Sequence, residues 1–333
     1  MRRLLVVLLG LAISAGALAL LVSTIDLGAT AEVLARTNPL PLVVALGVIA
    51  CQVILRSYRW HTILPPGPDG RAVPVRRLVP PLLVGYLGNA VLPARLGEPM
   101  RAVLVSRRER IGVPESLASV LLERIVDVAT LALITLLAAV LLGAPAWVIQ
   151  VAALASAVGV GVVLLLATVG PAPLVSFARR LPLVGRSGAL SSVFDQLDRF
   201  AVALGGAHRR RVIGLAAVIS LAAWLLDATT FWLVAQALGI ELVPAGALLV
   251  AGVTVLGTAV PSAPGYVGTF ELAASAVATA LGVLPEAALA LAVLAHVVTL
   301  IPVALGGAVS LVVMGSGLGE VAHAAEHAGD RVP

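Results

Sequence analysis

The sequence predicts an all-α polytopic membrane protein with about six full transmembrane helices plus two opposed re-entrant hairpins in an inverted repeat. Three observations predict it. Of the 333 residues 60% are hydrophobic and only 12% charged, with a mean hydropathy of +1.08, a balance foreign to water-soluble domains. Apolar runs of about 20 residues, the length a helix needs to cross hydrocarbon, recur along the whole chain. The connecting segments concentrate the positive charge, and all 22 basic residues are arginine. Residues 1–316 therefore read as one integral membrane domain and residues 317–333 as a short polar cytoplasmic tail.

The elements follow in order. The N-terminal run 4–22 has a basic start and an apolar core and reads as an uncleaved first span; cleavage as a secretory signal is the alternative. Further full spans fall at 40–58, 116–142, 147–169, 212–238 and 287–314. Two other apolar stretches, 78–92 and 244–260, are shorter, and each runs into a Pro/Gly-rich break with a second half beyond it. They read as re-entrant hairpins over 78–106 and 244–282, because irregular backbone at membrane depth is tolerated where protein or a water-filled cavity satisfies it. Between the fourth and fifth spans, Leu190, Val193, Leu197, Phe200 and Leu204 recur at helical spacing, predicting an interfacial amphipathic helix over 189–205.

Loop charge is consistent with this layout. With Arg2 and Arg3 inside, the loops holding Arg56, Arg59, Arg71, Arg76 and Arg77, then Arg107, Arg108 and Arg110, then Arg179 to Arg211 all fall inside, and the outer loops are nearly free of arginine. Both termini are expected in the cytoplasm, in a plasma membrane. The arginines are topogenic by this reading, so no nucleic-acid partner is expected. Cys51 lies within an apolar run, so there is no disulfide framework, and no Cys/His spacing calls for a metal or other cofactor. The "RSYRW" stretch, Arg56 to Trp60, reads as an interfacial anchor of snorkelling arginines beside an aromatic.

The two hairpin tips resemble each other. "YLGNAVLPARLGE", Tyr86 to Glu98, and "VLGTAVPSAPGYVGTFE", Val255 to Glu271, both run Leu-Gly-polar-Ala-Val, then Pro, then Gly and Glu. Three full spans separate them, and an odd number puts the hairpins on opposite faces, as in inverted-repeat transporters with a midplane site. Chance similarity among Gly/Ala/Val-rich segments is the alternative.

Charged groups at membrane depth are costly, so each invites a functional role. Arg95, Glu98 and Arg101 follow the Pro93 break at helical spacing. A carboxylate flanked by two guanidiniums leaves net positive charge, suited to a lipid phosphate that arginine grips in bidentate fashion; a self-contained salt-bridge cluster is the competing reading. "LLERIVDVAT" places Glu123 and Asp127 one turn apart with Arg124 able to reach Asp127, and these groups either pair with Arg95 or Arg101 or relay protons. In the second hairpin Ser262, Gly265, Tyr266, Gly268 and Glu271 are candidates for contact with a polar head group, along with Asn89 near the first tip. The bland alternative is a kink with a helix capped by Thr269 or Ser262. Asp227 and His296 are weaker candidates.

"GNAVLPARLGEPMRA", "SVLLERIVDV" and "PSAPGYVGTFE", in that order, resemble the lysylphosphatidylglycerol synthase transmembrane family, also called the flippase-like domain family, over roughly 40–314. The resemblance implies a membrane protein that moves a lipid with a polar head group between leaflets. Two-part members carry an aminoacyl-transferase domain at the C-terminus; here "GSGLGEVAHAAEHAGDRVP" follows Met314, so lysyl-lipid synthesis is not expected. By motif position the family's polar residues fall on Asn89, Arg95, Glu98, Arg101, Glu123, Arg124, Asp127, Pro264, Gly265, Gly268 and Glu271. The expected cargo is an anionic phospholipid or a polyprenyl-phosphate-linked sugar, with room for a partner lipid-modifying enzyme or a homo-oligomer. Enzyme signatures such as a phosphate loop or HExxH are missing, which favours transport over catalysis. The rivals are a glycosyl or acyl transferase with Glu98, Glu123 or Asp127 as base, and an accessory subunit.

Overall fold

Several helix starts are marked in the sequence by proline or by a capping side chain, as at Asp26, Asn38–Pro39, Pro114, Pro244 and Pro285. A computed structural model describes residues 2–92, 96–170, 206–258, 260, 262–315 and 317–326 of the chain, and among these every regular element is helical. Helix α1 (Arg2–Thr24) turns through 88° into α2 (Leu27–Ala35). At that corner Asp26 caps α2 by accepting from the Gly28 and Ala29 amides at 2.8 and 3.1 Å. No span signal marks this stretch, because nine residues cannot cross hydrocarbon.

Helix α3 (Pro39–Ile63) starts with Pro39 behind an Asn38 cap, whose side chain accepts from the Leu40 amide at 3.0 Å. Next come α4 (Val75–Val91), α5 (Gly97–Glu109), α6 (Val113–Leu141), α7 (Ala146–Thr168), α8 (Gly206–Ala237), α9 (Pro244–Gly257), a 3-10 turn at Pro264–Tyr266, α10 (Thr269–Ala280), α11 (Pro285–Met314) and α12 (Leu318–Glu326). Among the described residues five helices are long and apolar enough to cross a membrane, and up to six spans result when the bent α1–α2 pair counts as one. The predicted interfacial helix over 189–205 and Arg95 lie outside the described residues.

Helix α3 packs along α8, α6 along α7, and α11 along α4 and α10. The buried positions are rich in alanine, with Ala45, Ala139, Ala247, Ala274, Ala278, Ala292 and Ala295 in one cluster. Small residues let backbones approach closely, and in lipid that contact, rather than exclusion of water, holds helices together. Large apolar side chains face outward instead, Val312 at 81% exposure and Leu141 at 72%. A patch of that extent on a soluble protein would be an aggregation site, whereas here it meets acyl chains.

The segments read as hairpins are α4–α5 and α9–α10. In the first, Gly88 lies against Gly97: a Cβ on Gly88 would stand 2.7 Å from the Gly97 Cα, so the two arms touch through backbone. Asn89 closes the same end by accepting from the Gly97 amide at 3.0 Å. In the second, Gly265 has φ +70° and Tyr266 φ +62°, the latter a left-handed conformation seldom taken by a bulky residue. The two tips meet, since a Cβ on Gly265 would stand 3.2 Å from the Ala90 carbonyl.

Helix α11, about 45 Å long at 1.5 Å per residue, runs past both hairpins in turn. His296 meets α10, Leu300 lies beside Gly265, Gly306 and Gly307 pack on Leu83 and Leu87 of α4, and the Met314 carbonyl accepts from Arg108 of α5 at 3.1 Å. The hairpins thus lie end to end along one full-length helix. Helix α12 falls in the stretch read as a polar tail; its Val321 is buried with Val103, Leu104 and Leu311.

Candidate functional site

Glu123 and Asp127 project from one face of α6, about 15 and 21 Å past its first residue at 1.5 Å per residue. Both are fully buried. An isolated carboxylate there would be prohibitively costly, so the fold must bring cations to it. It brings them from two other helices. Arg59 of α3 bridges the pair, donating to Glu123 at 2.6 Å and also to Asp127, with Ser220 of α8 accepting a further bond at 2.7 Å. Arg101 of α5 donates to the other oxygen of Glu123 at 3.0 Å. Arg56, one turn before Arg59, binds Asp227 of α8 at 2.6 Å and lies 4.0 Å from Asp127.

Aromatic faces complete the enclosure. The Arg101 and Arg56 guanidiniums lie 4.7 Å over the rings of Trp60 and Trp224, where the ring quadrupole favours a desolvated cation. The indoles are fixed in turn: Trp60 donates to Ser119 at 3.0 Å and Trp224 to the Asp127 carbonyl at 3.1 Å. Arg101 keeps one buried terminal nitrogen without an acceptor among the described residues.

The network grades from sealed to open. Arg59, Glu123 and Asp127 are closed off, whereas Glu98 and Arg124, paired at 2.9 Å, keep 22% and 26% of their side chains exposed and Asp227 keeps 16%. Arg124 also lies 3.5 Å from Asp127, linking the open edge to the sealed centre.

Two sequence expectations change here. Arg56, Arg59 and Trp60 do not snorkel to an interface; they are buried, and the arginines anchor the network. Among the described residues Arg56, Arg59, Arg101 and Arg124 face Glu98, Glu123, Asp127 and Asp227, four against four; Arg95, the second guanidinium of the expected Arg95–Glu98–Arg101 cluster, lies outside the described residues. Glu98 and Arg101 also part company, one reaching Arg124 and the other Glu123. A signal for Arg56 and Arg59 was present in their i, i+3 spacing at the end of an apolar run, matched to the i, i+4 spacing of Glu123 and Asp127.

The second-hairpin candidates form a separate group. Gly268 starts α10, and Glu271 reaches back to accept from its amide at 2.7 Å, the carboxylate half of a capping box. Thr269 does not cap; its hydroxyl donates to the Tyr266 carbonyl at 3.1 Å. The other Glu271 oxygen meets His296 Nδ1 at 2.5 Å, and the imidazole stacks on Phe270 with centroids 4.2 Å apart. His296 is therefore the partner of the hairpin's one carboxylate. Ser262 and Gly268 lie against α1, where Ser14 accepts from the Ala263 amide at 2.8 Å. Among the described residues no hydrogen bond or ion pair runs from Glu271 or His296 to the arginine network. The hairpins meet through backbone at Ala90 and Gly265 instead.

This chain matches the family described as the lysylphosphatidylglycerol synthase TM region over residues 7–323. It belongs to that family. Both hairpins and the whole arginine network lie inside the matched region. Among curated relatives, the chain is similar to "Glycosyltransferase AglD" of Haloferax volcanii, 29% identical over 343 residues, which cover 91% of this chain and 53% of the relative. The chain thus spans about half the length of that protein. It is also similar to a "UPF0104 membrane protein" of Methanothermobacter thermautotrophicus, 27% identical over 261 residues, 71% of this chain and 72% of the relative.

Proposed function

We propose that this family member moves a lipid with a phosphate-bearing head group between the two leaflets of a bilayer. The observation that carries the reading is the half-open Glu98–Arg124 pair at the edge of the arginine network, inside a bundle whose paired hairpins meet tip to tip. An anionic head group arriving at that edge competes with Glu98 for Arg124, and the exchange needs no net change of buried charge. The acyl or polyprenyl tails stay among the outward-facing apolar side chains.

In this reading the hairpins re-enter from opposite faces. The base of the first lies with Arg107, Arg108 and Arg110 on the cytoplasmic side of a plasma membrane. Gly265 meets Ala90 where the tips touch, with Asn89 and Tyr266 next to them in sequence, while Ser262 and Gly268 lie against α1. The expected cargo is an anionic phospholipid or a polyprenyl-phosphate-linked sugar, handed over by a partner lipid-modifying enzyme. Purified protein in liposomes should expose a labelled anionic phospholipid to a membrane-impermeant quencher faster than empty liposomes do, and Arg124→Gln should remove the gain. Rates equal to those of empty liposomes across a panel of anionic and polyprenyl-phosphate lipids reject the proposal.

A second reading, transfer of a sugar from a lipid-linked donor, is favoured by the name of the relative from Haloferax volcanii. Glu123 and Asp127 are held in buried ion pairs, which leaves Glu98 as the accessible base. Product formed from a lipid-sugar donor and lost in Glu98→Gln decides for it.

A further inference from the structure

Away from the arginine network, where α3 ends and α4 begins, the chain folds back on itself and encloses a second polar feature. The connecting segment "PPGPDGRAVP" makes a tight turn: the Gly67 amide donates to the Arg71 carbonyl at 2.9 Å, the Gly70 amide to the Gly67 carbonyl at 2.9 Å, and Asp69 accepts from the Arg71 amide at 3.2 Å. With the first turn of α4 and the last turn of α5, it walls a cavity of about 520 Å³ whose charged lining is Asp69, Arg71, Arg77, Arg108, Glu109 and Arg110.

The charges there are unequal, four guanidiniums against two carboxylates. Two guanidiniums are engaged: Arg77 holds Glu109 at 3.2 Å, and Arg108 donates to the Met314 carbonyl at 3.1 Å. Arg71 and Arg110 are exposed, and neither has a side-chain partner among the described residues. Arg110 also sits where glycine belongs. It ends α5 in the left-handed conformation, φ +54° and ψ +35°, a position that helices usually give to Gly because a Cβ is strained there. A long cationic side chain is kept at a position where the backbone would favour none.

We infer that this pocket is a second anion site, which takes a phosphate-bearing group at the membrane surface between Arg71 and Arg110. Arginines that line one cavity can each match the oxygens of a phosphate in bidentate fashion, and the volume of about 520 Å³ admits a head group or a diphosphate but not a folded partner. The phosphate comes either from a lipid of the adjoining leaflet or from a soluble molecule, and the chemistry is the same for both. The site stands apart from translocation and does not depend on that reading.

The test uses the purified full chain in a neutral detergent, titrated by calorimetry with short-chain phosphatidic acid, with phosphatidylcholine of the same chain length, and with inorganic pyrophosphate. Phosphatidic acid should bind and phosphatidylcholine should not, and Arg71→Ala and Arg110→Gly should each weaken binding about tenfold, the scale of one charge-assisted hydrogen bond. Arg110→Gly should leave the melting temperature unchanged or raise it by relieving the left-handed strain, so its loss of binding is not a loss of fold. Pyrophosphate binding at the same site would point to a soluble source, and lipid binding without pyrophosphate binding to the leaflet. Equal affinity for the two lipids, or wild-type affinity in both variants, overturns the inference. Liposome translocation of Arg71→Ala then separates the two proposals, since binding and flipping can each fail while the other survives.

Discussion

Replacing Arg59 by glutamine tests whether the intramembrane charge network is a buried structure or a set of interfacial anchors. Arg59 is fully buried and its guanidinium is shared by Glu123, Asp127 and Ser220. Glutamine keeps much of the bulk and one donor group but removes the charge, leaving Asp127 to Arg124 at 3.5 Å and Arg56 at 4.0 Å, and Glu123 to Arg101 alone. Breaking a buried pair by removing one partner costs about 3–5 kcal/mol, because the other charge stays behind desolvated. Removing both ends of the Arg59–Glu123 pair leaves less uncompensated, so Arg59→Gln with Glu123→Gln should be less destabilising than the two single costs added, with a coupling of about 1.5–3 kcal/mol. The assay is reversible unfolding of the purified protein in mixed micelles, followed by helical circular dichroism against rising SDS. A loss under about 0.5 kcal/mol for Arg59→Gln, the scale of a surface substitution, refutes the reasoning and restores a snorkelling arginine. So does strict additivity in the double variant.

Other outcomes follow from the same geometry. Glu98→Gln should lower stability by no more than about 1 kcal/mol, since the pair with Arg124 is partly solvated, and under the proposed translocation should leave Arg124 without its competitor, so that an anionic head group binds more tightly and flips at a changed rate in liposomes; unchanged binding and flipping remove Glu98 from the path. Gly97→Val drives a side chain into the Gly85 carbonyl and Asn89 across the first hairpin, an overpacking worth about 1–3 kcal/mol, visible as a lower thermal midpoint in detergent. Glu271→Ala strips both the α10 cap and the partner of His296 and should cost about 2–3 kcal/mol. His296→Leu, which leaves the cap in place, should cost less than Glu271→Ala, and the reverse order in a melting series contradicts the assigned roles.

Much of the architecture was legible before any coordinates because a bilayer imposes a length. Runs of about 20 apolar residues have few options in hydrocarbon, and α3, α6, α7, α8 and α11 lie where those runs lie. The breaks at Pro93 and Pro264 likewise announced that the flanking helices stop short. Helix α2 was not legible, because its nine residues are ordinary loop length and only the Asp26 cap marks its start.

What the sequence alone determined is the membrane class, the order of helices and breaks, and the list of polar residues stranded among apolar ones; hydropathy is a property of the linear chain, and the bilayer reads it directly. Only the tertiary structure decided which of those residues answer each other. Arg59 looked like an interfacial anchor because the apolar run ends at residue 58 and an aromatic follows at Trp60, but α3 continues to Ile63 and points Arg59 inward at Glu123 and Asp127. Glu98 and Arg101 looked like one cluster because they sit three residues apart, but α6 offers each a different partner. Pairing depends on how each helix is turned about its own axis, and that angle is set by the packing of neighbours distant in sequence, which no local spacing records.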